Sequence, residues 1–190
     1  MVIGISGAEG SFSEEAARQY CREQGIADTR LEYLTFVEDV LSELERGGID
    51  LGIFAIENSN GGVVTEYLPA IAAHRFEIRK IFEMNVQHML LAVPGAKAPD
   101  IKRIVSQNQA LRQCRMYLKR VWPEADVVEY IDTATAAKDL AAGTFGKDAA
   151  VVAPRRAAEL YGLEILEENI QDLKFNYTTF IAAARSESPG

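Results

Sequence analysis

The sequence predicts an α/β protein of two lobes, on three observations. Short apolar segments alternate with amphipathic helical ones along most of the chain, and successive β-α-β units favour largely parallel sheets covered by helices. The alternation breaks in the middle, where Phe76–Asn85 and Gln87–Val93 read as two successive extended segments before a fresh α/β series begins. A final apolar segment, Asn176–Ala183, can return to the first lobe. The expected division is residues 1–78 with 170–190 for one lobe and 79–169 for the other.

Taken in order, Val2–Ser6 is a first strand running into a glycine loop. Ser11-Phe-Ser-Glu14 has capping-box spacing and opens a helix through about Gln24. Leu31–Thr35 reads as the next strand, and Thr35-Phe-Val-Glu38 repeats the box. Val37, Val40, Leu41 and Leu44 then share one helical face, which Gly47-Gly48 ends. Leu51–Ile56 is apolar enough for a strand buried on both faces. After Pro94-Gly95 come strand Arg103–Ser106, helix Gln109–Val121, strand Asp126–Tyr130, helix Thr133–Ala142 and strand Ala149–Ala153. Helix Pro154–Tyr161 has Pro154 at its first position and Gly162 past its end. Glu164–Asn169 is one more strand candidate, and Ser186–Gly190 is expected to fray.

Composition excludes several classes. Across 190 residues, 48% are apolar and 25% charged, as in a soluble globular protein with a substantial core. Twenty Lys+Arg against 28 Asp+Glu gives a net charge of −8, the wrong sign for a nucleic-acid binder. No apolar run is long enough to cross a membrane, and the N-terminus has no basic segment before a long apolar stretch. A cytoplasmic location is expected. Cys21 and Cys114 are read as free core thiols. His74 is placed at a helix end in solvent, and His88, inside an apolar strand, as a satisfied core residue. So few Cys and His support neither a zinc site nor a Cys-His nucleophile, and no GxGxxG or P-loop spacing supports a nucleotide.

Chemistry is expected at four strand-to-helix junctions: Gly7–Ser13, Glu57–Gly62, Ser106–Gln109 and Asp132–Thr135. In a parallel sheet these gather at the carboxyl ends of the strands. There unpaired N–H groups and helix dipoles suit a small anion, although ordinary helix caps have the same composition. Ile56-Glu-Asn-Ser-Asn-Gly-Gly62 is the most unusual. Glu57 could be a desolvated acid with a raised pKa or a hydrogen-bonded carboxylate pinning the loop, the second being favoured. On the last strand, plain alternation puts Asn176, Thr178 and Phe180 on one face and Tyr177 and Thr179 on the other.

Six blocks in order carry a resemblance over nearly the whole chain: Gly7-Ala-Glu-Gly-Ser-Phe-Ser-Glu-Glu-Ala-Ala17; Ile56-Glu-Asn-Ser59 with Gly61-Gly62; Ser106-Gln-Asn-Gln-Ala-Leu111; Asp132-Thr-Ala-Thr-Ala-Ala137; Ala149 through Leu163; and Ile170-Gln-Asp172 with Asn176-Tyr-Thr-Thr-Phe180. Together they resemble the catalytic domain of prephenate dehydratase.

The resemblance implies a two-lobed, type II periplasmic-binding-protein-like fold with its active site in the interlobe cleft. It also implies conversion of prephenate to phenylpyruvate with loss of water and carbon dioxide. Aromatisation drives that reaction, so no cofactor is expected. The family's catalytic threonine falls on Thr178, and Glu57 or a relayed water is the expected proton partner. Ser11, Asn58, Ser59, Gly61, Ser106, Gln109, Ala110, Thr133, Asn176 and Phe180 are the implied substrate-binding positions. The side-chain carboxylate would rest on N–H groups near Ser11 and Thr133.

This chain departs from the family pattern at Thr179, where the family has Arg after the catalytic threonine, and at Gln107-Asn108, where it has His-Pro. Lys174, Arg112 or Arg155 could replace the lost charge. The chain ends about where the family's phenylalanine-binding regulatory domain would begin, so feedback through that domain is not expected unless a longer protein carries it. A homodimer is the implied assembly. Three alternatives stay open: arogenate dehydratase, prephenate decarboxylase, and a non-catalytic binder of small carboxylates.

Overall fold

The structure, a computed structural model, describes residues 1–186. The fraying expected for Ser186–Gly190 therefore falls largely, at 187–190, outside the described residues. The chain runs β1 (Val2–Ser6), α1 (Phe12–Gln24), β2 (Arg30–Leu34), α2 (Val37–Arg46), β3 (Leu51–Asn58), β4 (Gly62–Val63), α3 (Leu68–Ala73) and β5 (Phe76–Asn85). It continues with β6 (Met89–Ala92), β7 (Arg103–Gln107), α4 (Asn108–Gln113), α5 (Arg115–Val121), β8 (Asp126–Tyr130), α6 (Thr133–Ala141), β9 (Ala149–Ala153), α7 (Arg155–Tyr161) and β10 (Glu164–Glu167), and ends with β11 (Tyr177–Arg185).

These elements form two units, residues 1–85 with 177–190 and residues 86–176. Both crossings lie seven residues later than the sequence suggested. β5 pairs with β11 along its whole length, from Phe76↔Arg185 to Asn85↔Tyr177, which keeps it in the first unit. Ile170 is 1% exposed in a core cluster of the second unit, and Asn176 bonds to Val86 there.

In unit 1 the sheet order is β2-β1-β3-β11-β5, with β4 beside β3. β1 is parallel to β2 and β3, and the returning β11 lies antiparallel between β3 and β5. α2 covers one face: Val37, Val40, Leu41 and Leu44 pack with Phe54, Ile181 and Ala183, as the helical periodicity predicted. Its N-cap is Phe36, with no side-chain cap, so the second capping-box reading was wrong. α1 covers the other face, where Tyr20, Phe82 and Phe180 form a chain of ring contacts at 5.6 and 5.8 Å. Buried aromatic pairs at such spacing add to the burial energy, and Phe180, expected among the substrate-binding positions, is 1% exposed within this core.

In unit 2 the order is β10-β6-β9-β7-β8, with β7 parallel to β8 and β9, and β6 and β10 antiparallel. Alternation along β9 sends Ala149, Val151 and Ala153 into one cluster with α6 and α7, and Ala150 and Val152 into the opposite cluster with α4 and α5. A strand buried on both faces reads as a continuous apolar run for this reason.

The helix expected over Gln109–Val121 is two helices. Asp172 accepts from the N–H groups of Met116 and Tyr117, both at 2.8 Å, and its own N–H takes the carbonyl of Gln113 at 2.8 Å. Those groups are the ones that would continue the i→i−4 ladder, so a carboxylate more than fifty residues away cuts the helix and caps its second half. Pro154 is the N-cap of α7 rather than its first residue.

Candidate active site

Unit 1 assembles its candidate residues around the end of β3. This strand runs two residues past its apolar segment and turns back into β4, pairing Glu57 with Val63 and Asn58 with Gly62. The predicted strand-to-helix junction is thus a hairpin, and helix-terminal N–H groups are not what it offers.

Its register decides which side chain meets Thr178. β3 pairs Phe54 with Ile181 and Ala55 with Phe180, then skips Ile56 and pairs Glu57 with Thr179 and Asn58 with Thr178. The extra residue is a β-bulge, and a bulge reverses the pleat of every residue beyond it. Without it Glu57 would share a face with Thr178. With it Asn58 takes that place, and Glu57 is exposed on the opposite face beside Thr179. The expected Glu57 partnership with Thr178 is therefore corrected: the pleat separates them.

Asn58 is 7% exposed and holds its turn together. Its Oδ1 accepts from the N–H groups of Asn60 and Gly61, both at 2.9 Å. This leaves Nδ2 as the end facing β11, where it donates to the Tyr177 carbonyl at 3.3 Å and to Thr178 Oγ1 at 2.9 Å. Ser59 extends the ladder: its N–H donates to the Tyr177 carbonyl at 2.8 Å, and its Oγ accepts from the Tyr177 N–H at 3.0 Å. Thr178 is half-buried. Because its oxygen accepts from an amide of fixed orientation, its own proton must point away from Asn58.

The glycine loop lies on this same face, at the start of α1. Ser11 is the N-cap, its Oγ accepting from the Glu14 N–H at 3.4 Å. A side chain at Gly7 would bring its Cβ to 2.7 Å from that hydroxyl. Ser13 donates to the Ser6 carbonyl at 2.7 Å. β1 and β11 are separated only by β3, so the strand that leads into this helix lies two strand spacings, about 10 Å, from β11.

Unit 2 treats its predicted residues less uniformly. Ser106 is fully buried, its hydroxyl donating to the Val152 carbonyl at 2.6 Å, and Ala110 is 3% exposed in the α4–β9 core. Asn176 is fully buried, donating to the Val86 carbonyl at 3.2 Å and to Gln113 Oε1 at 2.9 Å. The polar side chains of Ser106 and Asn176 thus meet interior partners within unit 2. Gln109 is exposed in the first turn of α4. Thr133 opens α6 at 7% exposure behind the Asp132 cap, whose carboxylate accepts from the Thr135 N–H at 2.7 Å. Of the suggested replacement cations, Arg155 is paired with Glu168 at 2.6 Å, and Arg112 and Lys174 are exposed.

Of the two histidines, His88 is placed as expected and His74 is not. His88 is a core residue, 2% exposed, its ring held to Gln113 Oε1 at 2.7 Å and its N–H to Gln171 Oε1 at 3.0 Å. Burial lowers its pKa, against the Gln113 bond, so the ring is neutral at pH 7. His74 is not in open solvent. It lies 2.8 Å from Glu38 and 3.0 Å from Glu45, its side chain 12% exposed, and the Glu38 and Glu45 bonds raise its pKa. Cys21 and Cys114 are free and buried. The sequence reading missed Gln113, which receives both His88 and Asn176. Its partners lie 25 and 63 residues away, so no local pattern marks it.

Two α/β units, each with a parallel centre and added antiparallel strands and joined by two chain crossings, define a type II periplasmic-binding-protein-like fold. In unit 1 it carries an alcohol oriented by an amide, on the sheet face that α1 covers.

The chain belongs to the prephenate dehydratase family: the family model described as "Prephenate dehydratase" matches residues 3–188. Among curated relatives, a chloroplastic arogenate dehydratase 5 of Arabidopsis thaliana is 35% identical over 184 residues, 96% of this chain and 42% of that protein. A solved prephenate dehydratase from Arthrobacter aurescens, in complex with L-Phe, is 30% identical at a TM-score of 0.88, covering 99% of this chain and 61% of that one. A structure described as GqqA, a novel type of quorum quenching acylase, is 29% identical at a TM-score of 0.84, covering all of this chain and 66% of that one. The chain spans less than half the length of the curated relatives it matches.

Proposed function

We propose that the chain catalyses the decarboxylating dehydration of prephenate to phenylpyruvate. The observation that carries this reading is the Asn58–Thr178 hydrogen bond, which aims the Thr178 proton away from the protein's own amide. In the reaction the bond between a ring carbon and its carboxylate breaks to release carbon dioxide. That electron pair enters the ring, and the opposite carbon–oxygen bond breaks with its pair to release hydroxide, which becomes water with a solvent proton. Aromatisation supplies the driving force. What a protein adds is stabilisation of charge developing on the departing oxygen, best supplied by a donor held in place beforehand. An alcohol is too weak an acid to protonate the leaving group outright at neutral pH. Thr178 therefore acts as an oriented hydrogen-bond donor. The N-terminus of α1 offers its dipole, and Ser11 its hydroxyl proton, for a carboxylate.

The relatives named arogenate dehydratase make the amino analogue the second substrate to try. Prephenate and arogenate are incubated side by side with the protein at neutral pH, with detection of phenylpyruvate, phenylalanine and any decarboxylated product that keeps its hydroxyl. An acylated amide is included because of the acylase neighbour. Phenylpyruvate from prephenate is expected, with no acid released from the amide. Thr178→Ala should lower kcat by about 10²–10³, the usual cost of one preorganised donor. A folded variant within about threefold of wild type would remove Thr178 from this role. We further propose a homodimer, checked by light scattering.

A further inference from the structure

Glu14 departs from the motif that places it. In a capping box the acid at the third helical position reaches back to the N–H of the N-cap residue. Here the Ser11 N–H donates to the Ala8 carbonyl at 3.2 Å, and Glu14 Oε2 reaches one residue further to accept from the Gly10 N–H at 2.7 Å. Its Oε1 accepts from Arg18 Nε at 2.7 Å. The carboxylate is fully buried while Arg18 is 47% exposed. A charge removed from water in this way persists only with such partners.

The Ser11–Ala8 bond closes a turn with Gly10 at its third position, and Gly10 has φ +82°. That matches a type II turn, which needs positive φ there. Types I and II differ by rotation of the central peptide, here the one joining Glu9 to Gly10, and the N–H held by Glu14 belongs to that peptide. Tyr33 lies nearby on β2, its pKa raised to about 12 by burial and by the Glu14 and Glu9 carboxylates.

We propose that Glu14 is a positioning residue: by locking the peptide before Gly10 it fixes the turn that presents the N-terminus of α1 to the substrate's carboxylate. This rests on the carboxylate-receptor reading of α1 given above. Glu14 stands on α1 and the Asn58–Thr178 pair on β3 and β11, so its loss should act on substrate binding and spare the chemical step.

The test compares Glu14→Gln, which keeps an oxygen for the Gly10 N–H, with Glu14→Ala, which removes it. Two quantities are read: hydrogen exchange of the Gly10 amide, and KM against kcat with prephenate. Glu14→Gln should retain slow Gly10 exchange and a KM within about threefold of wild type. Glu14→Ala should speed Gly10 exchange and raise KM about tenfold with kcat within about threefold, as expected for one lost charge-assisted hydrogen bond. Unchanged KM in a folded Glu14→Ala, a loss confined to kcat, or equal impairment of the two variants would each overturn the proposal. Fast Gly10 exchange in the wild type would overturn it as well, and that measurement stands even if Glu14→Ala does not fold. If the wild-type protein turns over neither prephenate nor arogenate, the functional reading fails. Gly10 exchange in the wild type and Glu14→Gln then still decides whether Glu14 holds the turn.

Discussion

Replacing Asn58 by Asp changes one atom's chemistry and reverses the direction of a hydrogen bond. One carboxylate oxygen can still accept from Asn60 and Gly61, as Oδ1 does now at 2.9 Å. The other occupies the place of Nδ2, which donates to Thr178 Oγ1 at 2.9 Å and to the Tyr177 carbonyl at 3.3 Å. An ionised carboxylate cannot donate, so Thr178 must turn its proton inward and lose it as a donor to the substrate. The stability cost is the weak Tyr177 contact turned repulsive, about 1–2 kcal/mol, or roughly 2–8 °C in Tm for a chain of this size. The catalytic cost is that of a lost preorganised donor, about 10²–10³ in kcat. Steady-state kinetics with a melting curve on the same preparation separates the two. Acid adds a diagnostic: once the new carboxyl is protonated, near pH 4 for an unperturbed side chain, it can donate again. The ratio of variant to wild-type kcat should then rise as pH falls. A folded Asn58→Asp that keeps kcat within about threefold at pH 7 would refute the orientation argument.

Other consequences follow from the same geometry. Thr179 sits opposite Glu57 on the exposed side of the pleat, so Thr179→Arg should form a cross-strand ion pair and raise Tm by about 1–3 °C; the gain should vanish in a Glu57→Gln background. Asp172→Ala uncaps α5 and should cost about 1–2 kcal/mol, or roughly 2–8 °C in a thermal melt. His74 has a raised pKa between Glu38 and Glu45, so its stabilisation is fully present below the unfolded value of about 6.5 and is lost as pH rises through the folded one. His74→Gln should therefore lower Tm by about 1–3 °C at pH 5.5 and leave it unchanged at pH 9, the size kept small because both carboxylates are largely exposed. Phe180→Ala removes the β11 end of the Tyr20–Phe82–Phe180 chain and should cost about 3–5 kcal/mol by chemical denaturation.

What the chain determined by itself is what depends on near neighbours. Apolar period, caps and glycine stops placed β1, α1, α6 and β9 to within a residue or so, because 3.6- and 2-residue periods and helix-end chemistry act over a few positions. The Ser11 and Asp132 caps were legible for the same reason, and ordered motifs along the chain pointed to the family and to Thr178.

Tertiary structure decided the rest. Whether Glu57 or Asn58 faces Thr178 turns on one unpaired residue, Ile56, whose bulge exists only because β11 returns beside β3. The break in α4–α5 exists only because Asp172 arrives from a distant loop. Ser106, Asn176 and Phe180 carry the residue types of a site, yet lie buried against partners that only the assembled sheets supply. Local periodicity tells a strand how its side chains alternate. The register against a strand more than a hundred residues away determines which of them reach the same face.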